Sequence, residues 1–277
     1  MEKKMKQKTM KLRAAAVFFA TLLVTMGCVF LLNQSQEKQA RLKAAYTAES
    51  TVNMVESQLN KYLVESDLMK NVVESGYDIT DEQFNQLAAL MQNENEVIEA
   101  YEMAKDGTVN QIYPLEGNEA AMGLDMLENS ERRMEARLAR DSKEYTIAGP
   151  FELKQGGYGI AVRNPVYLED ESGQEFFWGF TIVIIRVPEI FSDSVKPLSD
   201  FGYQYCLSKT GSPWEEAYEV VDCSGGSISA PVSYTFEIGG SVWKLEVMPQ
   251  NGWVEKSYLY SIFGGGLLVV LLLTGLT

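Results

Sequence analysis

Apolar residues fall into two regimes along the chain: long unbroken runs at both ends and short periodic patterns between them. Residues 14–32 run for 19 positions without a charge, close to the roughly 20 that a helix needs to cross a hydrocarbon core. Lys3, Lys4, Lys6, Lys8, Lys11 and Arg13 precede this run, and a basic flank of that kind stays in the cytoplasm. A cleaved signal peptide has a shorter apolar region of roughly 7–15 residues and a small-residue cut site. A lipoprotein site at Cys28 would sit inside the run, which continues to Leu32. The pattern therefore predicts a cytoplasmic tail over 1–13 and an uncleaved transmembrane helix over 14–32. Residues 258–277 form a second apolar run, expected to be a second transmembrane helix. With no Lys or Arg behind it, the expectation is that the polypeptide originally continued into a cytoplasmic module. Residues 33–257 are then extracytoplasmic.

Helical and strand periods alternate between the two runs. Ala45, Ala48, Val52, Val55, Leu59, Tyr62, Ser66, Met69 and Val73 recur at the 3-4 spacing of one helix face, which predicts a stalk helix over 33–76. Val52, Val55, Leu59, Tyr62 and Met69 suit a coiled-coil seam between two copies, or equally a face packed on the chain's own domain. Thr80-Asp81-Glu82-Gln83 is a capping box that opens a second helix. Segments 97–103 and 109–113, joined across Asp106-Gly107, read as a hairpin. A charged helix over 131–143, with Met134 and Leu138 inward, precedes strands at 145–148, 151–153, 158–168 and 176–187. Residues 188–201 form a connecting helix. Strands at 203–208, 216–221, 232–238 and 241–248 follow, the last two turning at Gly239-Gly240. Helix then strands, twice over, predicts an α+β fold with an antiparallel sheet in each half, 77–187 and 188–257.

Charge and composition narrow the chemistry. The net charge is −14, and the excess acid lies beyond the basic tail, which argues against nucleic-acid binding. The absence of histidine excludes Ser-His-Asp and Cys-His nucleophiles and His-ligated zinc. The acidic loop at 169–175 lacks the alternating carboxylates of a calcium loop, so neither a metal nor a cofactor is expected. Cys206 and Cys223 are either bridged, as an extracytoplasmic location permits, or reduced and buried.

Several motifs in order resemble the CHASE domain, an extracytoplasmic sensor module of receptor kinases and cyclic-di-GMP enzymes. The first is Tyr113-Pro114-Leu115-Glu116-Gly117-Asn118-Glu119-Ala120-Ala121-Met122-Gly123-Leu124-Asp125. A basic helix with Arg132, Arg133, Arg137 and Arg140 follows, then Ala148-Gly149-Pro150-Phe151-Glu152-Leu153, then Gly159 through Arg163-Asn164-Pro165-Val166-Tyr167. The hairpin Gly239-Gly240-Ser241-Val242-Trp243 is similar to the family's closing segment. The resemblance implies a stalk helix followed by two PAS-like halves, the membrane-distal one holding a small ligand. Carried over by position, the ligand candidates are Tyr113, Asn118, Asp125, Gly149, Pro150, Arg163 and Tyr167. Ala148 stands where cytokinin receptors of the family have threonine, which argues against an adenine-type ligand.

Each candidate has a plainer reading. Asn118 and Asp125 suit local turn hydrogen bonds, and Gly149 and Pro150 suit a strand irregularity. Arg163, flanked by apolar residues, either faces water or is buried and needs an anionic partner. The leading expectation is a non-catalytic sensor that binds a small molecule, dimerises through the stalk and signals across the membrane. The alternatives are a surface enzyme using paired carboxylates such as Asp125 and Glu119, and an adhesion module presenting Trp178, Trp214 or Trp253.

Overall fold

A computed structural model describes residues 2–76, 79–92, 97–130, 132–153 and 156–275. It divides into two units, one formed by residues 1–46 and 248–277 and the other by residues 47–247.

The first unit holds both of the long apolar runs. Helix α1 (Glu2–Glu74) begins here and carries the 14–32 run, and it is the one described helix long and apolar enough to cross a membrane. Helix α5 (Lys256–Gly275) carries a shorter apolar stretch, Tyr260–Thr274. The two helices touch at Gly266, where an added Cβ would lie 2.2 Å from the Thr25 methyl.

The second unit is built on two sheets. Helix α2 (Asp81–Gln92) starts at the capping box: the Gln83 amide donates to Thr80 Oγ1 at 3.3 Å, and the Thr80 amide donates to Gln83 Oε1 at 3.1 Å. Strands β1 (Ile98–Lys105) and β2 (Thr108–Tyr113) turn at Asp106-Gly107, both at positive φ as a two-residue hairpin requires. Helix α3 (Arg133–Ser142) leads to β3 (Thr146–Glu152), β4 (Tyr158–Glu169) and β5 (Glu175–Val187). The first sheet is antiparallel, in the order β2-β1-β5-β4-β3. Segments 145–148 and 151–153, expected as two strands, are one strand with a bulge between Ala148 and Phe151, because Gly149-Pro150 interrupts the pairing without ending it. Helix α4 (Ser192–Asp200) connects to the second sheet of β6 (Tyr203–Lys209), β7 (Glu219–Cys223), β8 (Val232–Ile238) and β9 (Ser241–Pro249), ordered β7-β6-β9-β8. Its core is Trp243, fully buried, stacked on Phe236 and met edge-on by Phe191. Cys206 and Cys223 are bonded across the β6–β7 pair.

Strand alternation gives the first sheet two faces with different partners. One face carries Tyr101, Met103, Asn164 and Thr181 and packs on α1. Tyr101 Oη donates to Glu65, Asn164 Nδ2 donates to Asp67 at 2.6 Å, and Thr181 Oγ1 donates to the Ser66 carbonyl. Val52, Val55, Leu59, Tyr62 and Met69 are at most 6% exposed in this single chain. Of the two expectations for these five, a seam between copies or a face packed on the chain's own domain, the described contacts are of the second kind. The opposite face carries Ala100, Ala104, Ala148, Ala161, Phe180, Ile182 and Ile184, covered by Ala136 and Ala139 of α3 and by Met126. The α3 residues expected inward were Met134 and Leu138, but Met134 is 44% exposed. Alanines instead let the helix lie close on the sheet.

The sheets meet at β3. The Ile147 amide donates to the Gly239 carbonyl at 2.8 Å, and buried Lys209 donates its ammonium to the Gly149 carbonyl at 2.8 Å. A Cβ on Gly239 would lie 2.2 Å from the Ile147 side chain, so a side chain is excluded at the hairpin tip.

Candidate functional site

On the α3 side of the first sheet, the chain between β2 and α3 arches over the strands, pairing with β2 through one isolated bridge, Thr108 with Asp125. A short 3-10 turn, Glu119–Ala121, and the 122–130 loop form this arch. It is held down by the Val109 amide bonding the Leu124 carbonyl and the Gly123 amide bonding the Val109 carbonyl. Beneath it lies a cavity of about 260 Å³. Ile184 lies on the sheet side, Ala121 and Leu124 come from the arch, and Phe151 and Leu153 belong to β3. Its polar groups are Glu102 on β1, Asn118, Asn129, Glu152, and Arg132 just before α3. The Arg132 guanidinium lies 4.1 Å above the Phe151 ring, a cation–π arrangement.

Electrostatics single out two residues near this cavity. Glu102 is buried, its Oε2 has no hydrogen-bond partner, and burial pushes its carboxyl up to about 7 against the opposing pull of Arg132 and Arg163. Arg163 pairs with Ile182, which pairs with Glu102, so all three lie in one row on the cavity side of the sheet. Arg163 is fully buried and its three guanidinium nitrogens have no partner. The group lies 5.7 Å from the Phe180 ring centroid, and burial pulls its pKa down to about 10. Behind it, burial raises the Glu135 carboxyl and lowers the Lys209 ammonium.

Of the residues carried over from the family motif, only Asn118 lines the cavity, and its Nδ2 also donates to the Pro114 carbonyl at 3.0 Å. Arg163 sits in the same face, two strands from Glu102. Asp125 is used locally: its Oδ1 accepts the amides of Leu127 and Glu128, closing the turn ahead of α3. With that carboxylate engaged, and Glu119 in a turn with no buried residue, the pair does not form a cleft for acid-base work. Gly149 and Pro150 make the β3 bulge that precedes Phe151. Tyr113 ends β2, and Tyr167 donates its hydroxyl to the Arg140 carbonyl, with Lys143 4.7 Å from its ring. Tyr113, Asp125, Gly149, Pro150, Arg163 and Tyr167 do not line the cavity. Glu102, Arg132 and Phe151 were not selected from the sequence. Glu102 had a signal, an acid on the inward alternation Ala100-Glu102-Ala104. Among the described residues, no group of three or more Cys, Asp or Glu is placed to hold a metal.

Comparison with known proteins places this geometry in context. The fold resembles an extracellular ligand-binding receptor from Desulfohalobium retbaense (TM-score 0.54, 13% identity, 74% of this chain and 40% of that one). It also resembles the sensory domain of the Campylobacter jejuni chemoreceptor Tlp3 (0.53, 11%, 79% and 97%). A third similar structure is the extracellular domain of the putative histidine kinase rpHK1S-Z16 (0.52, 15%, 76% and 94%). At these identities the likeness is one of fold, and this chain spans 40% of the length of the first of them. No curated protein matches the chain. Residues 85–213, the stretch that contains every group around the cavity, match the family model described as the CHASE domain.

Proposed function

We propose that this chain is the sensing part of a membrane receptor, and that a small molecule binds in the cavity between the first sheet and the 114–130 arch. The observation that carries this reading is the cavity itself: it lies inside the CHASE match and combines apolar walls with the few convergent polar groups typical of a ligand site. The similar Tlp3 domain has been determined with L-valine and with isoleucine bound, which supports a small-molecule occupant here. On this reading residues 33–257 are extracytoplasmic, α1 anchors them, and α5 passes the signal to a cytoplasmic output. The role is sensory rather than catalytic. Because a ligand shifts an equilibrium only by its differential affinity for two states, the bound form must favour a different arrangement of the arch or of its neighbours.

Thermal-shift screening of the full chain in lipid nanodiscs against a metabolite library tests this. At least one compound should raise Tm, and Phe151→Ala should abolish the shift while Phe201→Ala, on an exposed side chain, retains it. A shift that survives Phe151→Ala and equally conservative changes at Leu124 and Ala121 would place the ligand elsewhere.

A further inference from the structure

The cavity lining carries more acid than base. Its charged residues are Glu102 and Glu152 against a single cation, Arg132. Part of the Arg132 charge is already met, since its guanidinium lies 4.1 Å from the centre of the Phe151 ring. Glu152 is exposed and solvated. Glu102 differs from both: it is 3% exposed, and its Oε2 has no hydrogen-bond partner. A buried carboxylate without a donor is costly, and an ionised carboxylate can only accept. Whatever meets the Glu102 carboxylate in the cavity must therefore bring a donor. A primary ammonium brings three N–H donors and the opposite charge, and a charge-assisted hydrogen bond of this kind is roughly twice as strong as a neutral one. Ala121, Leu124, Leu153 and Ile184 supply an apolar wall for a short hydrocarbon body.

We propose that the cavity takes a small alkylamine whose ammonium donates to the Glu102 carboxylate and whose hydrocarbon body lies against the apolar wall. This inference rests on the sensor reading and adds the ligand's charge. The cavity, about 260 Å³, is just below the roughly 300–1,000 Å³ of ordinary ligand sites, which limits the amine to a few carbons. Binding is coupled to the Glu102 proton, because the ammonium holds the carboxyl ionised. The charged groups acting on Glu102 are Arg132, just before α3, and Arg163 on β4, and burial pushes its carboxyl up to about 7 against them. Glu152 on β3 shares the lining, and Glu135 on α3 acts on Arg163. An alkylamine stays protonated through this range. It should therefore bind about tenfold more tightly at pH 8 than at pH 6, as the carboxyl passes from mostly protonated to mostly ionised. A neutral ligand that accepted the Glu102 proton would show the reverse.

The test is titration calorimetry on the full chain in nanodiscs of zwitterionic lipid, with empty nanodiscs as the blank. The probes are linear and branched C2–C6 primary amines, their N-acetyl derivatives, and the α-amino acids and carboxylates of the same skeletons. At least one amine should bind, with its N-acetyl derivative at least tenfold weaker. Glu102→Gln, which keeps the shape and removes the charge, should weaken that amine at least tenfold at pH 8 and flatten its pH dependence. The apo Tm of this variant at pH 8 should be unchanged or higher, because a buried charge is gone; this separates lost recognition from lost folding. On the unmodified protein, titration at pH 6 in two buffers of different ionisation enthalpy should show release of about one proton per amine bound. The proposal is overturned if N-acetyl derivatives, amino acids or carboxylates bind as tightly as the amines, if Glu102→Gln leaves amine affinity unchanged, if no proton is released, or if no amine binds. Should a neutral or anionic compound bind in a Phe151-dependent way where no amine does, the sensor reading stands and only the charge assignment falls. Should nothing of any class bind, both fall.

Discussion

At the residue scale, two kinds of position dominate the first sheet's behaviour: glycines that permit close backbone contact and charges that burial holds away from their usual pKa. Gly179 sits at φ +150°, beside the irregularity where β4 and β5 slip register, and an added Cβ would lie 2.2 Å from the Ala104 carbonyl oxygen. That neighbour is backbone of β1, a strand paired on both sides, rather than the free end of a side chain. Gly179→Ala should cost about 2–3 kcal/mol, a Tm loss of roughly 4–12 °C for a unit of this size. Calorimetric unfolding that shows no loss would contradict the packing described. Glu102 carries the pH dependence. Its pKa rises on folding from an ordinary 4.5 to about 7, so the folded state holds the proton more tightly and stability from this group falls as pH rises through that window. Glu135 is raised by burial too and acts in the same direction. Glu102→Gln should therefore flatten part, not all, of the Tm decline between pH 5 and 8; an unchanged slope would contradict the burial of this carboxyl. Residue roles were only partly legible in the sequence. That Arg163, if buried, would call for an anionic partner was visible in its apolar flanks, whereas its burial without a hydrogen-bond acceptor was not. The importance of Glu102 depends on which side of β1 the arch covers, and no local pattern encodes that.

Elements were more legible than residues, for a physical reason. The Asp106-Gly107 hairpin and the Thr80 capping box are fixed by interactions within a few residues, and both occur at the expected positions. The 3-4 apolar stripe on α1 was equally clear as a helix, yet its partner was not. A stripe reports that a face is covered and is silent on whether the cover belongs to the same chain. Around residues 65–67 it is supplied by β1, β4 and β5, through Tyr101, Asn164 and Thr181. Cysteines placed singly at Val52, Val55, Leu59 and Tyr62 should therefore give no crosslinking between copies under mild oxidation. Efficient crosslinking at these sites with the usual heptad rhythm would restore a shared seam. In α3, Met134 looked like a core residue by hydrophobicity, while alanines occupy the contact. Close packing on a sheet favours small side chains there, a preference that hydrophobicity alone does not rank.

For the molecule as a whole, the cavity and the second sheet are joined through one strand. Phe151 walls the cavity. Two residues earlier Gly149 accepts the Lys209 ammonium, and four residues earlier Ile147 bonds the Gly239 tip from which β9 runs toward α5. A ligand that repositions Phe151 acts on the same strand that the second sheet grips. The two-half organisation could be anticipated from the repeated order of helices and strands, whereas the grip at β3 joins residues some 60 to 90 positions apart and leaves no local mark. The central claim is that the cavity beneath the 114–130 arch is where a ligand acts. Hydrogen exchange of the full chain in nanodiscs, with and without a compound that raises its Tm, tests this most directly. The account predicts added protection in residues 114–130 and 147–153, followed by a smaller change in β9. Protection confined to β6–β8, with the arch and β3 unchanged, would contradict it.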